Sequence, residues 1–211
     1  DKTGTLTQNV MTVVDHYAED EKLLATAMAL CTNADVDETG KGTGEPDEVA
    51  LINYAKTLEL EKNVLVTEKP RVGEVPFDSG RKMMSTVHSY NGGFIQYTKG
   101  APDEILKKCT KAYIGGQVVA ITDEIIAKIA EENTRMGNKA LRVFAVAYKN
   151  YDAAPTAFDS ESLEFDMTFI GLTGMIDPVR PEVKDAIVEC RGAGIKPIMI
   201  TGDHINTAKA I

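Results

Sequence analysis

The stretch from Met83 to Lys99 constrains the fold most. Met83 to Tyr90 and Phe94 to Lys99 are rich in Thr, Val, Tyr and Ile, and Asn91-Gly92-Gly93 lies between them. Asn-Gly accepts the left-handed backbone of a tight turn, so the two runs are expected to pair as an antiparallel hairpin. Helices are expected around it: Glu21 to Thr32, a second opening at Pro46 with Asp47 and Glu48 in its first turn, and Thr122 to Met136 ending at Gly137. Each carries residues that start or stop helices. Leu141 to Tyr148 and Phe165 to Leu172 are expected strands.

The C-terminal end has another rhythm. Pro181 to Arg191 has helical spacing at Val183, Ala186, Ile187 and Cys190, stopped by Gly192 and Gly194. Ile195 to Ile200 is then expected as a short buried strand closing on Thr201-Gly202-Asp203, with a helix from about Asn206, as in part of a βαβ unit. The expected architecture is therefore an α+β domain, an antiparallel sheet with flanking helices, inserted into an α/β domain. Residues 11–168 would be the insert and residues 1–10 and 169–211 its host, with connections near 10 and 168. Residues 152–164, mixing Ala, Pro, Asp, Ser and Glu, are expected to form an exposed loop.

Composition excludes some functions. With 32 acidic against 23 basic side chains the formal charge is −9, which repels polyanions, and no local basic patch offsets it, so nucleic acid is not an expected partner. An anionic ligand must be held by a few placed cations. No apolar run approaches the roughly 20 residues that cross a bilayer, since Phe169 to Ile176 already holds two glycines and a threonine. Cys31, Cys109 and Cys190 are far apart and form no Cys-x-x-Cys pair, which suits a reducing compartment. Asp1 rather than Met stands first, so a piece of something longer is expected.

Asp1-Lys2-Thr3-Gly4-Thr5-Leu6-Thr7 is the densest cluster of reactive types. A carboxylate beside hydroxyls and a glycine can attack phosphorus while amide N–H groups hold the phosphoryl oxygens. A polar N-terminal tail is the plainer alternative. Phosphatases that form an aspartyl-phosphate usually carry a second carboxylate two residues later, and here that residue is Thr3. Slow hydrolysis of the acyl phosphate would follow, which suits an enzyme that uses the intermediate to drive another process. Thr201-Gly202-Asp203 would sit at the C-terminal end of a strand, where open α/β sheets bind anions.

Asp1 to Thr5, Thr201-Gly202-Asp203 and Asp177-Pro178-Val179-Arg180 together resemble the P-type ATPase family of cation pumps. Gly44 to Leu51, Phe77 to Lys82 and Lys99-Gly100-Ala101 fall in that family's order, so the resemblance covers the whole chain. It implies an incomplete haloacid-dehalogenase-like α/β phosphorylation domain around the insert, with Asp1 as nucleophile and Lys2, Thr3, Thr201, Gly202 and Asp203 beside it. It implies ATP and Mg²⁺ as cofactors, with Asp1 and Thr3 as a partial site for the ion whose remaining ligand is expected beyond Ile211, and Thr201 and Gly202 holding the phosphoryl oxygens.

For the nucleotide the resemblance implies Phe77 under the adenine, Glu45 accepting from its amino group, Lys99 lining the pocket and Lys82 near the phosphates. Gly100 would keep the pocket wall low, Arg142 would lie on the phosphate side, and Asp177 and Arg180 would complete the set. Ser79 stands where muscle calcium pumps have arginine, so one phosphate contact is expected either to be missing or to come from Arg81. Read without the resemblance, Phe77 is as well a core residue, Lys82 and Lys99 surface lysines, and Glu45 a helix cap. The resemblance also implies a transported cation and the pump's other domains as partners, at the cytoplasmic face of a membrane. The segment Phe77 to Met84 and Glu45 look most like bacterial calcium-type pumps. The rival readings are a soluble haloacid-dehalogenase-like phosphatase with a large cap and a catalytically silent ATP-binding module.

Three other motifs fail on their chemistry. Asp35 to Gly40 opens like an EF-hand, but its fifth position is Thr39 and its twelfth Pro46. Gly40 to Gly44 lacks the Gly-Lys-Ser/Thr ending of a phosphate loop. His16, His88 and His204 share no ligand spacing.

Overall fold

The computed structural model describes residues 2–37, 39 and 41–200. In chain order the elements are β1 (Thr12–Ala18), α1 (Glu21–Leu30), the short pair β2 (Asp35–Val36) and β3 (Gly42–Thr43), α2 (Pro46–Thr57) and α3 (Lys62–Glu68). There follow β4 (Arg71–Asp78), β5 (Met83–Tyr90), β6 (Gly93–Gly100), α4 (Pro102–Lys107), β7 (Cys109–Ile114) and β8 (Gln117–Ala120). The last are α5 (Asp123–Asn138), β9 (Arg142–Tyr151), α6 (Ser160–Leu163), β10 (Met167–Ile176) and α7 (Val183–Gly192).

One eight-stranded sheet organises them, in the order β4-β5-β6-β9-β10-β7-β8, with β1 also paired to β10. Every pairing is antiparallel except β10 with β7. The α+β architecture with a mostly antiparallel sheet is as expected. The β5–β6 hairpin turns on Asn91 (φ 49) and Gly92 (φ 79), both left-handed, with Tyr90 opposite Gly93. That is the two-residue turn whose twist matches paired strands.

Helices cover the sheet. In α1, whose cap Asp20 accepts from Leu23 N–H at 2.9 Å, every residue from Leu24 to Leu30 is buried, because the helix lies between the sheet and α2. Its side chains join Ile95, Tyr97, Val146 and Ile170 in one core cluster. A second cluster holds Ile129 and Met136 of α5 with Ala145, Ala147, Phe169 and Leu172. β10 lies at the centre, with all but Ile176 buried. It pairs with β9 along one edge, while β7 takes Met167–Phe169 and β1 takes Gly171–Ile176 on the other.

Several expectations need correcting. Ile195 to Ile200 forms no strand, and Ile195, Ile198 and Ile200 are exposed. A buried parallel strand requires neighbours on its edges and layers on its faces, and among the described residues none lies beside it. Residues 152–164 are not simply an exposed loop, since α6 closes them with Leu163 fully buried beside Val75 and Val87. β10 runs unbroken from Met167 to Ile176. Among the described residues no helix is long and apolar enough to cross a membrane.

Candidate functional site

Strand register brings most of the expected nucleotide residues to one end of the sheet. Asp78 lies opposite Met83, Met83 opposite Gly100, and Met84 opposite Lys99. Gly100 in turn lies opposite Ala145 of β9, three residues from Arg142 at the start of that strand. Phe77, Lys82, Lys99 and Arg142 therefore sit at the same end, where the N-terminus of α2 also arrives.

Phe77 is 61% exposed, which excludes the core reading and leaves an unprotected aromatic face. The turn after it is built by Asp78, whose Oδ1 accepts from the N–H groups of Gly80 (3.0 Å) and Arg81 (2.9 Å) and whose carbonyl accepts from Lys82 N–H (2.7 Å). Lys82 takes a left-handed backbone (φ 55) and presents an exposed side chain with no ion pair among the described residues. Glu45 stands at the N-cap of α2 but makes no side-chain capping bond, so its exposed carboxylate is not spent on the helix.

The other cations are already paired. Lys99, read above as a surface lysine or a pocket wall, is 5% exposed, its Nζ 2.9 Å from Glu48 Oε1 and 5.7 Å from the Phe144 ring centre. Glu48 Oε2 accepts in addition from the N–H groups of Asn33 (2.7 Å) and Ala34 (3.1 Å). Burial pushes the Glu48 carboxyl up, but the Lys99 charge and these bonds outweigh it and hold it below the usual range. Arg142 is exposed and pairs with Asp47 at 2.5 Å; burial nevertheless raises the Asp47 carboxyl. Arg81 is engaged within the protein: its guanidinium is bound by Glu164 and donates to the Pro76 carbonyl at 2.7 Å. Carboxylates thus neutralise three of the four expected cations at this end of the sheet, and Lys82 is the one there left without a carboxylate among the described residues.

Gly100 is buried, and a Cβ there would lie 2.4 Å from the Lys82 carbonyl oxygen. Its small size serves the close approach of β5 to β6.

Asp177 and Arg180 also have another task. Asp177 Oδ2 accepts from the Thr7 hydroxyl at 2.5 Å and its Oδ1 from Val10 N–H at 3.2 Å. Arg180 donates to the carbonyls of Thr7 (Nε, 3.0 Å) and Gly4 (Nη2, 3.0 Å), and Thr7 bridges Val179. These residues hold the segment that follows Asp1. Within that segment the Lys2 carbonyl accepts from Leu6 and Thr7 N–H groups, Lys2 is buried, and Thr3 is exposed. Asp1, Thr201, Gly202 and Asp203 lie outside the described residues, as does His204. Among the described residues no three His, Cys, Asp or Glu side chains lie together as a metal site, and of the expected Mg²⁺ pair only Thr3 is described.

Glu48, Asp47, Phe144 and Glu164 are the partners of these side chains that sequence reasoning missed. Asp47 and Glu48 had a visible signal as acids in a first helical turn, but that signal names the helix dipole and not their cation partners.

A sequence profile described as "P-type ATPase, cytoplasmic domain N" matches residues 21–182. Along its whole length the chain is 43% identical to a calcium-transporting ATPase of Bacillus cereus, and 42% identical to calcium-transporting ATPases of Listeria monocytogenes and Lactococcus lactis. It spans about a quarter of the length of each of these relatives: 25%, 26% and 25%.

Proposed function

The chain belongs to the P-type ATPase family, and from that premise we propose that it is the nucleotide-binding part of an ATP-driven cation pump together with flanking parts of its phosphorylation domain. The insert is the body from β1 to β10, ending near Ile176 rather than near 168. The adenine of ATP stacks on Phe77, with Glu45 accepting from the exocyclic amino group. Lys82 meets the phosphates first, and Arg142 turns to them when they displace Asp47.

In the whole protein the Asp1 carboxylate attacks the γ-phosphorus, the bond to the bridging oxygen breaks, ADP leaves, and the new acyl phosphate drives transport. Thr201 and Gly202 hold the phosphoryl oxygens and Asp203 lies beside them, in a haloacid-dehalogenase-like α/β domain. Mg²⁺ supplies countercharge when bound. Lys2, buried, anchors the loop through its carbonyl, and Asp177 and Arg180 position the segment that carries Asp1. Thr3 in place of a second carboxylate keeps the intermediate long-lived. The cation is calcium, in line with the names of the relatives, and the pump's other domains hold it in a membrane whose cytoplasmic face carries this part.

The observation that carries this reading is the exposed Phe77 face at the sheet end shared by Lys82 and Arg142. Titration of the chain with AMP, ADP and ATP, followed by NMR, should move resonances around Phe77 and Lys82 for all three. Affinity should be weak, roughly 0.1 to several mM, because one ring and one uncompensated cation leave much of the nucleotide solvated. Shifts confined to another face would overturn the assignment.

A further inference from the structure

Glu164 is 1% exposed, and no other Asp or Glu among the described residues is buried. An unpartnered buried carboxylate is costly, so its partners show what it holds. One Glu164 oxygen accepts from Arg81 and from the Ser85 hydroxyl at 3.1 Å. Ser85 bonds Thr98 at 2.8 Å, Gln96 donates to Thr98 (2.7 Å) and to the Leu163 carbonyl (3.1 Å), and the Tyr151 hydroxyl donates to Gln96 (2.6 Å). A satisfied polar network thus joins the segment leading into β10 to β5, β6 and β9.

The decisive link is the second one made by Arg81. Its guanidinium bonds Glu164 on one side and the Pro76 carbonyl on the other, at 2.7 Å, and Pro76 directly precedes Phe77. The same segment grips β4 a second time, where the Phe158 ring lies so close over Gly73 that a Cβ there would sit 2.2 Å from it. β4 is the edge strand of the sheet, with a register shift between Val75 and Asp78, so its own ladder does not fix the peptide that carries Phe77.

We propose that Glu164 and Arg81 are positioning residues for the nucleotide, a buried clamp that holds the Pro76–Phe77 peptide and the Asp78–Lys82 turn in the geometry the base requires. The proposal rests on Phe77 being the base-stacking ring, as proposed above. An aromatic ring on a loose edge must be ordered when the ligand arrives, and that ordering subtracts from affinity. The clamp orders it beforehand. It also removes Arg81 from the phosphates, so the part played by this arginine is independent of how many phosphates the ligand has.

The test uses the whole 211-residue chain and its variants Glu164→Gln, Arg81→Met and the double variant, each titrated with AMP, ADP and ATP at a temperature where circular dichroism shows it folded. Each single variant should bind all three nucleotides about three- to tenfold more weakly, by the same factor, and the double variant no more weakly than the singles. Hydrogen exchange at the Phe77 and Lys82 amides should quicken in the free variants. The double variant leaves no buried charge unpaired, so it carries the test where a single variant does not fold. Wild-type affinity for AMP in the folded variants overturns the proposal. So does a loss in Arg81→Met that grows from AMP to ATP, combined with tighter ATP binding by Glu164→Gln, because that pattern belongs to an arginine touching phosphate. Phe77→Ala separates the two levels: unchanged AMP binding there overturns the stacking reading itself, whereas lost binding there with unchanged binding in the clamp variants overturns the clamp alone.

Discussion

Replacing Lys99 by methionine should destabilise the protein, although a surface lysine could be removed without cost. Lys99 is 5% exposed and the Glu48 side chain 14%, so the substitution leaves a largely buried carboxylate without its cation. Breaking a buried pair from one side costs about 3–5 kcal/mol. The Asn33 and Ala34 amides remain on Glu48, and methionine keeps the apolar stem, which brings the expected loss to about 2–3 kcal/mol. For a chain of this size each kcal/mol moves Tm by about 2–4 °C, so Lys99→Met should melt about 5–10 °C below wild type. Adding Glu48→Gln should restore much of the difference, since both charges are then gone. The sign with pH is fixed by Glu48, whose folded carboxyl is held below its ordinary range. The stability it contributes is present above the unfolded pKa and disappears as pH falls through the folded one, so wild type and variant should converge in acid. Urea and thermal melts read by circular dichroism at neutral and acid pH make the comparison. A Lys99→Met midpoint within about 1 °C of wild type at neutral pH would refute the reasoning.

Phe77→Ala should weaken adenine nucleotide binding by about 1–3 kcal/mol with an almost unchanged Tm; calorimetry that found stability lost and binding kept would remove Phe77 as the base-stacking ring. Asp47→Asn should tighten ATP relative to AMP by up to about fivefold, because it frees Arg142 from a pair worth up to about 1 kcal/mol; an equal change for both nucleotides would count against Arg142 as a phosphate contact. Burial holds the His88 imidazole down to about 4, while the unfolded chain takes up its proton near 6.5, so stability should fall as pH drops between those values, by up to about 3 kcal/mol. The Lys69 carbonyl can only accept, so Nδ1 carries the proton and Nε2 accepts from Thr86; a His88→Gln variant as acid-sensitive as wild type over this range would assign the effect elsewhere. In the whole protein, ATP and Mg²⁺ should label Asp1 with an acid-stable, hydroxylamine-sensitive phosphate that Asp1→Asn abolishes, and a persisting label would remove Asp1 as nucleophile.

What was legible in the sequence was local. The β5–β6 hairpin announces itself through Asn91-Gly92 and its β-rich flanks, and α1, α2 and α5 through their caps and first turns. β4 was hidden because Gly73 and Pro76 count against a strand, yet an edge strand tolerates both. The pairings that decide the site join distant positions: Lys99 with Glu48 across 51 residues, Arg81 with Glu164 across 83. Nothing in a single sequence marks such partners, so Lys99 reads as a surface charge and the engagement of Arg81 goes unseen until the fold brings in their carboxylates. Glu164 carries no signal at all, since it ends a stretch whose composition is that of a loop. The exposed buried-strand candidate Ile195 to Ile200 shows the converse, a local pattern that needs neighbours to become structure.

The Thr7–Val179 bridge has a mechanical consequence. β1 and β10 are antiparallel neighbours, and the chain leaving them is bonded again at Thr7 and Val179 and through Asp177 and Arg180. The two tethers of the body are therefore one ribbon. Its cross-rungs resist sliding of one tether along the other, because sliding breaks every bond of the register at once, whereas a two-stranded ribbon twists readily. In the two-domain arrangement proposed above, such a ribbon would guide a swing of the body about a single pivot, with a direction set by the ribbon's plane. Cutting the rungs at Asp177 or Arg180 would turn that guided swing into a loose one without touching either end of its arc.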